Sequence, residues 1–188
     1  MRYNLTMSFK IKIFGKRLGE KRFELESPNK KIICTVKIRD GRIYYAVKKD
    51  EVNLIRDSRL GFLLYGEKEL GQNLILVRTK KKSLDETWNT LYGEQQEIRN
   101  HYNETVFYLA EETDKQRLFS VRFRVFNDGV AFRYEIPPQP SFQRIIVTDE
   151  LTEFSVDLNG QAWRIPAYQA TKYELNYEKW PICELRDA

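Results

Sequence analysis

Histidine is almost missing from this chain, with His101 the only one among 188 residues. A lone imidazole has no second histidine with which to share a metal. Its setting, Ile98-Arg99-Asn100-His101-Tyr102-Asn103, suits a hydrogen-bonded surface or interlayer residue better than a general base. Cysteine is scarce as well: Cys34 and Cys183 make no disulfide framework, and both are expected as free thiols. Nine Gly and six Pro are too few for a collagen-like or low-complexity chain. No window approaches the ~20 apolar residues of a membrane span, so no membrane partner is expected. The one candidate for a secretory signal, Phe9 to Phe14, is broken by Lys10 and Lys12 and closed by Lys16 and Arg17, so no signal peptide is expected in this chain. Nucleophile elbow, P-loop, dinucleotide fingerprint and zinc spacing are all lacking. Helical periodicity is nearly absent, and only Glu51 to Asp57 and Thr148 to Thr152 have room for a single turn each.

An excess of one charge sign is also missing. The 32 Lys and Arg stand against 27 Asp and Glu, and the basic residues are spread through segments that also carry acids, so no nucleic-acid partner is expected. The densest run, Arg78 to Lys82, holds four cations in five residues, but Asp85 and Glu86 follow at once. It reads as a solvated loop or strand end rather than a phosphate site.

What the chain does have is aromatic residues and alternation. Its 11 Tyr, 11 Phe and 3 Trp favour strands, and 41% hydrophobic residues suffice for a core. In Lys31 to Lys48 a two-residue turn at Asp40-Gly41 places Ile38 opposite Ile43, Val36 opposite Tyr45 and Cys34 opposite Val47, which makes one face wholly apolar. In Val121 to Ile136 a turn at Asp128-Gly129 predicts Val125 opposite Phe132 and Phe123 opposite Tyr134. That register sets Arg124 against Arg133 on the reverse face. Two guanidinium groups facing each other call for an anion between them, either Glu135 or a bound polar ligand or partner. Further strands are predicted at Leu60 to Tyr65, Asn73 to Thr79, Arg99 to Ala110, Phe142 to Thr148 and Thr152 to Asp157. Residues 1 to 26 carry seven Lys or Arg and no turn signal, as an edge strand or poorly ordered arm would. Roughly a dozen short strands describe an all-β protein, a large two-layer antiparallel β-sandwich.

Aromatics interleaved with amides and charges recur around Trp88, in Arg99 to Glu104 and in Tyr173 to Trp180. Such mixtures suit sugars, whose C–H faces pack on rings while their hydroxyls meet amides and carboxylates. They equally suit a core face with a solvated reverse side. Glu174 and Glu178 are four residues apart and share a face whether helical or extended, so either could lend an oxygen to a hard cation or simply stand exposed.

Several of these segments, taken in order, resemble one family. They are Leu25-Glu26-Ser27-Pro28-Asn29-Lys30, Ser58-Arg59-Leu60-Gly61, Trp88 through Gly93-Glu94, Arg99-Asn100-His101-Tyr102-Asn103-Glu104, and Phe123-Arg124-Val125 with Asp128-Gly129-Val130-Ala131-Phe132-Arg133-Tyr134-Glu135. Asp149-Glu150-Leu151-Thr152-Glu153-Phe154 and Ala162-Trp163 complete the succession. The match is to the N-terminal domain of glycoside hydrolase family 97, from about residue 24 to 180. The resemblance implies a mutarotase-like super-sandwich over 24–188 preceded by an arm at 1–23. In complete members a (β/α)₈ barrel with the acid and base glutamates follows, and the enzymes are exo-acting α-glucosidases or α-galactosidases of Bacteroidetes, which implies a periplasmic setting. Ala188 comes eight residues after Trp180, so the chain is expected to lack that barrel and to have no turnover of its own. The resemblance further implies that one sandwich glutamate reaches a calcium ion beside the barrel's active site. Glu174 is the position most like it and Glu178 the alternative, with no tight calcium binding expected in this chain alone. The implied partner is the barrel, which leaves a homodimer through the uncovered surface open. An autonomous carbohydrate-binding module, with Trp88, Trp163 or Trp180 as platforms for an oligosaccharide, is the other reading.

Overall fold

The computed structural model describes residues 19–113, 116–140, 144–165 and 175–185. Two four-stranded antiparallel sheets form its body. The first runs β1 (Lys21–Glu26), β2 (Ile32–Arg39), β3 (Arg42–Lys49) and β4 (Val52–Arg59) in sequence order. After the short β5 (Phe62–Leu64), the second runs β6 (Leu74–Asn89), β7 (Glu97–Glu111), β8 (Leu118–Phe126) and β9 (Val130–Glu135). Two small ribbons complete the described part: β10 (Val147–Glu150) on β5, and β11 (Gln161–Arg164) on β12 (Glu178–Pro181). The 3₁₀ turn Ile182–Glu184 is the only helical element among the described residues.

Alternation places the core. Cys34, Val36, Ile38, Ile43 and Tyr45 from the first sheet meet Phe107, Leu109, Val121, Phe123 and Val125 from the second, and all are buried. Aromatic rings tie the layers together: Phe23 meets Phe107 edge-on at 5.2 Å, and Phe123 lies 6.1 Å from Tyr45 and 5.5 Å from Phe132. Burial in this apolar layer pushes the Cys34 thiol up to about 12, and both cysteines are free.

The β2–β3 hairpin has the expected register, Ile38 opposite Ile43 through Cys34 opposite Val47. Asp40 and Gly41 supply the two positive φ angles, 52° and 69°. Gly41 is required twice over, because a Cβ there would also lie 2.9 Å from Asn73 Cα, where the turn receives the Leu74 amide on its carbonyl.

Four expectations are corrected. The β8–β9 turn is Asn127-Asp128, closed by the Phe126 amide donating to the Gly129 carbonyl at 2.8 Å. Val125 therefore faces Val130 and Phe123 faces Phe132, and Arg124 meets Ala131 while Arg122 meets Arg133. A shift of two residues keeps every side chain on its predicted face, so alternation by itself does not select between the registers. Second, Glu51 to Asp57 is no helical turn but most of β4, which follows a tight turn at Asp50 and Glu51 with positive φ at both. Likewise Thr148 to Thr152 is largely β10. Third, β6 does not stop at Thr79; the cationic run lies inside it, exposed along its whole length. The run pairs with Glu104 to Tyr108 at the edge of the sheet, and beyond Leu84 the strand continues with β7 as a two-stranded ribbon, which needs no buried face. Fourth, Thr152 to Asp157 forms no strand, although it lies beside β4 through Glu153 N to Arg59 O and Arg56 N to Ser155 O, at 2.9 and 2.8 Å. The expected strand at Phe142 to Thr148 falls partly outside the described residues, as does most of the arm at 1–23, whose last residues begin β1.

One ion pair is wholly interior. Arg117 grips both carboxylate oxygens of Glu111 and donates to the carbonyls of Lys68 and Glu69 at 2.8 Å each, while the Gly71 amide donates to Glu111 at 3.0 Å. The arrangement pins the loop between β5 and β6 to the β7–β8 turn.

Candidate functional site

The registers β7 on β8 and β8 on β9 bring five charges into one row on the outer face of the second sheet. Glu104 stands opposite Arg124, and Arg122 opposite Arg133. Glu104, 5% exposed, accepts from Arg122 at 2.5 Å and Arg124 at 2.8 Å. Glu135 accepts from Arg122 at 2.8 Å and Arg133 at 2.9 Å. The anion between the facing guanidinium groups is thus Glu135, supplied by the chain. Hydrogen bonds from Arg122 and Arg133 outweigh desolvation and hold the Glu135 carboxyl near 2. At Glu104 burial pushes upward, but the bond from Arg124 and the charges of both arginines leave it below the ordinary range. Every carboxylate in the row is committed to a guanidinium, so none is placed to shuttle protons near neutral pH.

A pH dependence follows from Glu135. Its folded pKa is depressed, so the stabilisation is complete above about 4.5 and drains away as the pH falls toward 2. Urea titrations across that window are expected to show a loss of about 1–2 kcal/mol, after discounting for partial exposure, and the Glu135→Gln variant is expected to lack that part of the slope. Equal slopes in both proteins would contradict the assignment.

A shallow groove of about 320 Å³ crosses the outer face of the first sheet, lined by Arg22, Glu24, Lys37, Lys48, Arg56 and Asp57 among others. Its charges are largely self-paired: Lys37 sits 2.8 Å from both Asp57 oxygens, and Arg22 2.7 Å from Glu24.

The tryptophans do not converge. Trp88 lies near the tip of the β6–β7 ribbon, 47% exposed, beside the exposed Leu91 and Tyr92. Trp163 and Trp180 share the β11–β12 ribbon, but Ala162 is the residue opposite Trp180, so the two indoles occupy opposite faces. Trp163 is 67% exposed with Lys179 5.8 Å from its ring centre. The Trp180 ring is covered by the Arg164 guanidinium at 4.1 Å and its N–H is spent on Glu178 at 3.0 Å. His101 faces Asp85 at 3.8 Å, and Asp85 is already held in a two-pronged grip by Arg99 at 2.8 and 2.7 Å.

Glu178 also lies 3.6 Å from Arg164. A carboxylate so engaged is one oxygen donor at most, whereas calcium takes 6–8. Among the described residues no three His, Cys, Asp or Glu stand together as metal ligands. Glu174 lies outside the described residues.

Sequence reasoning missed the distribution of apolar exposure. Fully buried core residues run from Leu25 to Val125, and none of the described residues beyond Val125 joins them. Beyond it Ile146, Val147, Phe154, Leu158, Trp163 and Tyr177 stand exposed, and β5 adds Leu63 with Tyr65 following, next to β10. The strands expected at Phe142 to Thr148 and Thr152 to Asp157 implied burial here and so hid the exposure.

The described residues thus form a two-layer antiparallel β-sandwich with a sealed interior and an outer face of paired charges. Residues 25–188 match the glycosyl-hydrolase 97 N-terminal family, and the chain belongs to it. The retaining alpha-galactosidase of Bacteroides thetaiotaomicron is 30% identical over 116 residues, 62% of this chain and 16% of that one. A glycoside hydrolase family 97 enzyme from Pseudoalteromonas sp. strain K8, solved with panose, superposes with a TM-score of 0.82 at 29% identity, covering 86% of this chain and 25% of that one. Its acarbose complex gives 0.81 over 85% and 24%. A beta-arabinopyranosidase shares the fold at 22% identity and a TM-score of 0.70. The chain thus spans 16% of the curated relative and about 25% of the solved family 97 enzyme.

Proposed function

We propose that this chain is the non-catalytic N-terminal sandwich of an α-glycosidase, packing on a (β/α)₈ catalytic barrel and helping to wall its carbohydrate pocket. The observation that carries this reading is the exposure of Ile146, Val147, Phe154, Leu158, Trp163 and Tyr177 on a segment none of whose described residues is fully buried. Apolar side chains concentrated in one segment are normally covered by a partner. The small share of each relative that the chain covers agrees with this, as do the α-galactosidase activity named for one relative and the panose and acarbose held by another.

Amide hydrogen exchange, read on this chain alone and joined to a family 97 barrel, tests the reading. Segments 146–165 and 175–185 are expected to exchange at least tenfold more slowly in the joined protein, and the chain alone is expected to leave p-nitrophenyl α-galactoside and α-glucoside uncleaved. Unchanged exchange in those segments, or turnover by the chain alone, would overturn it. The exposed Trp163 ring favours a second reading, a free-standing carbohydrate-binding module. Affinity electrophoresis through an α-glucan gel separates the two: retardation abolished by Trp163→Ala supports the module.

A further inference from the structure

We propose that this chain pairs with a second copy of itself through the free edge of β6, the two edges running antiparallel about a twofold axis at Ser83. Among the described residues the strand ends its sheet, bonded to β7 alone. Val77 to Ser83 and Asp85 to Asn89 are all exposed. Among the described residues no backbone hydrogen bond of this stretch runs to any other element. At 16 residues it is far longer than the usual strand of about 5–6, and an edge of that length invites pairing unless its charge forbids it.

The charge forbids some pairings and favours one. Only alternate residues of an edge strand turn N–H and C=O outward, so two identical edges can meet antiparallel only with residues of equal parity opposite each other. Centring on Ser83 meets this condition. It sets Lys80 opposite Glu86 and Lys81 opposite Asp85, each twice by symmetry, with Thr79 opposite Thr87 and Arg78 opposite Trp88; Glu86 then adds the lysine to its bond from Asn100, and Asp85 shares its charge with Arg99. Centring one residue earlier puts Lys82 on Lys82. Centring one later keeps a single opposite-charge pair, Lys82 opposite Glu86, and leaves Lys80 opposite Trp88 and Lys81 opposite Thr87. Parallel in-register stacking would pile the lysine run on its own copy, where like charges repel. Lys80, Lys81 and Lys82 have no carboxylate partner among the described residues, whereas most other cations of the sandwich do. The self-complementary order of cations and acids along one open edge therefore specifies a closed, isologous dimer and opposes open-ended growth. This surface is on β6, apart from the segment 146–185 assigned to the barrel, so the two assignments fail or survive separately.

Sedimentation equilibrium of the full chain at low and high salt tests it. A dimer is expected at low salt that weakens as salt screens the pairs. Lys80→Glu and Glu86→Lys are each expected to sediment as monomers, because each sets like charges opposite each other twice. An equimolar mixture of the two is expected to dimerise again, since every reversed charge then faces its opposite, and this recovery shows that both variants are folded. A wild-type chain that stays monomeric at every concentration, a dimer unmoved by either reversal, or a mixture that stays monomeric would overturn the proposal.

Discussion

Replacing Arg117 by Met is expected to lower the unfolding free energy by about 3–5 kcal/mol, because it strands the Glu111 carboxylate in the interior. Glu111 is fully buried and Arg117 is 3% exposed. So deep a burial keeps bulk solvent from taking over for the guanidinium, and the Lys68 and Glu69 carbonyls lose their donors at the same stroke. The cost comes from the unpaired charge rather than from the net worth of the pair, and that distinction is measurable. The double variant Arg117→Met with Glu111→Met is expected to recover a large part of the loss in urea titrations. A single-variant loss under about 1 kcal/mol would mean that Glu111 finds other partners.

Phe123→Ala is expected to cost about 3–5 kcal/mol, through a void at the meeting point of the two sheets. Phe123 is fully buried, with Phe107, Tyr45 and Phe132 within 6.1 Å of its ring centre. Those rings belong to β7, β3 and β9, so collapse around the void would require both layers to move. For a protein of this size that loss corresponds to a melting temperature lower by roughly 10 °C, readable by calorimetry. Phe123→Leu, which keeps most of the volume, is expected to lose less than half as much. Equal losses for Ala and Leu would place the effect in ring geometry instead of packing.

The sandwich was legible where short-range chemistry decides. Asp40-Gly41 combines positive φ with flanking alternation, and the β2–β3 register agrees with expectation residue for residue. Asn127-Asp128-Gly129 offers two overlapping turn dipeptides, and both give the same faces. The choice between them rests on contacts distant in sequence, such as the Tyr134 hydroxyl accepting from the Gly61 amide and meeting Thr152. β4 escaped notice because Asp50-Glu51 turns without a glycine and because part of the strand's support comes from residues 153–157, about a hundred positions away. The length of β6 escaped because alternation reports burial, and this edge is not buried. Of the candidate site, Glu135 as the anion between arginines was readable from the strand pattern. Glu104, 5% exposed and bound to two arginines, was not, since it required the β7–β8 register. The separation of Trp163 from Trp180 needed a ribbon formed by segments that nothing local brings together.

The sealed interior closes at Val125, and this matters for a polypeptide made from its first residue onward. Every fully buried side chain of that interior is in hand once Val125 has been made, and Phe132, Tyr134 and Ile145 then add partly buried contacts. The segment that follows is laid onto a body that can already have begun to condense, which shortens the interval in which sticky surface lies open to neighbours in a crowded cell.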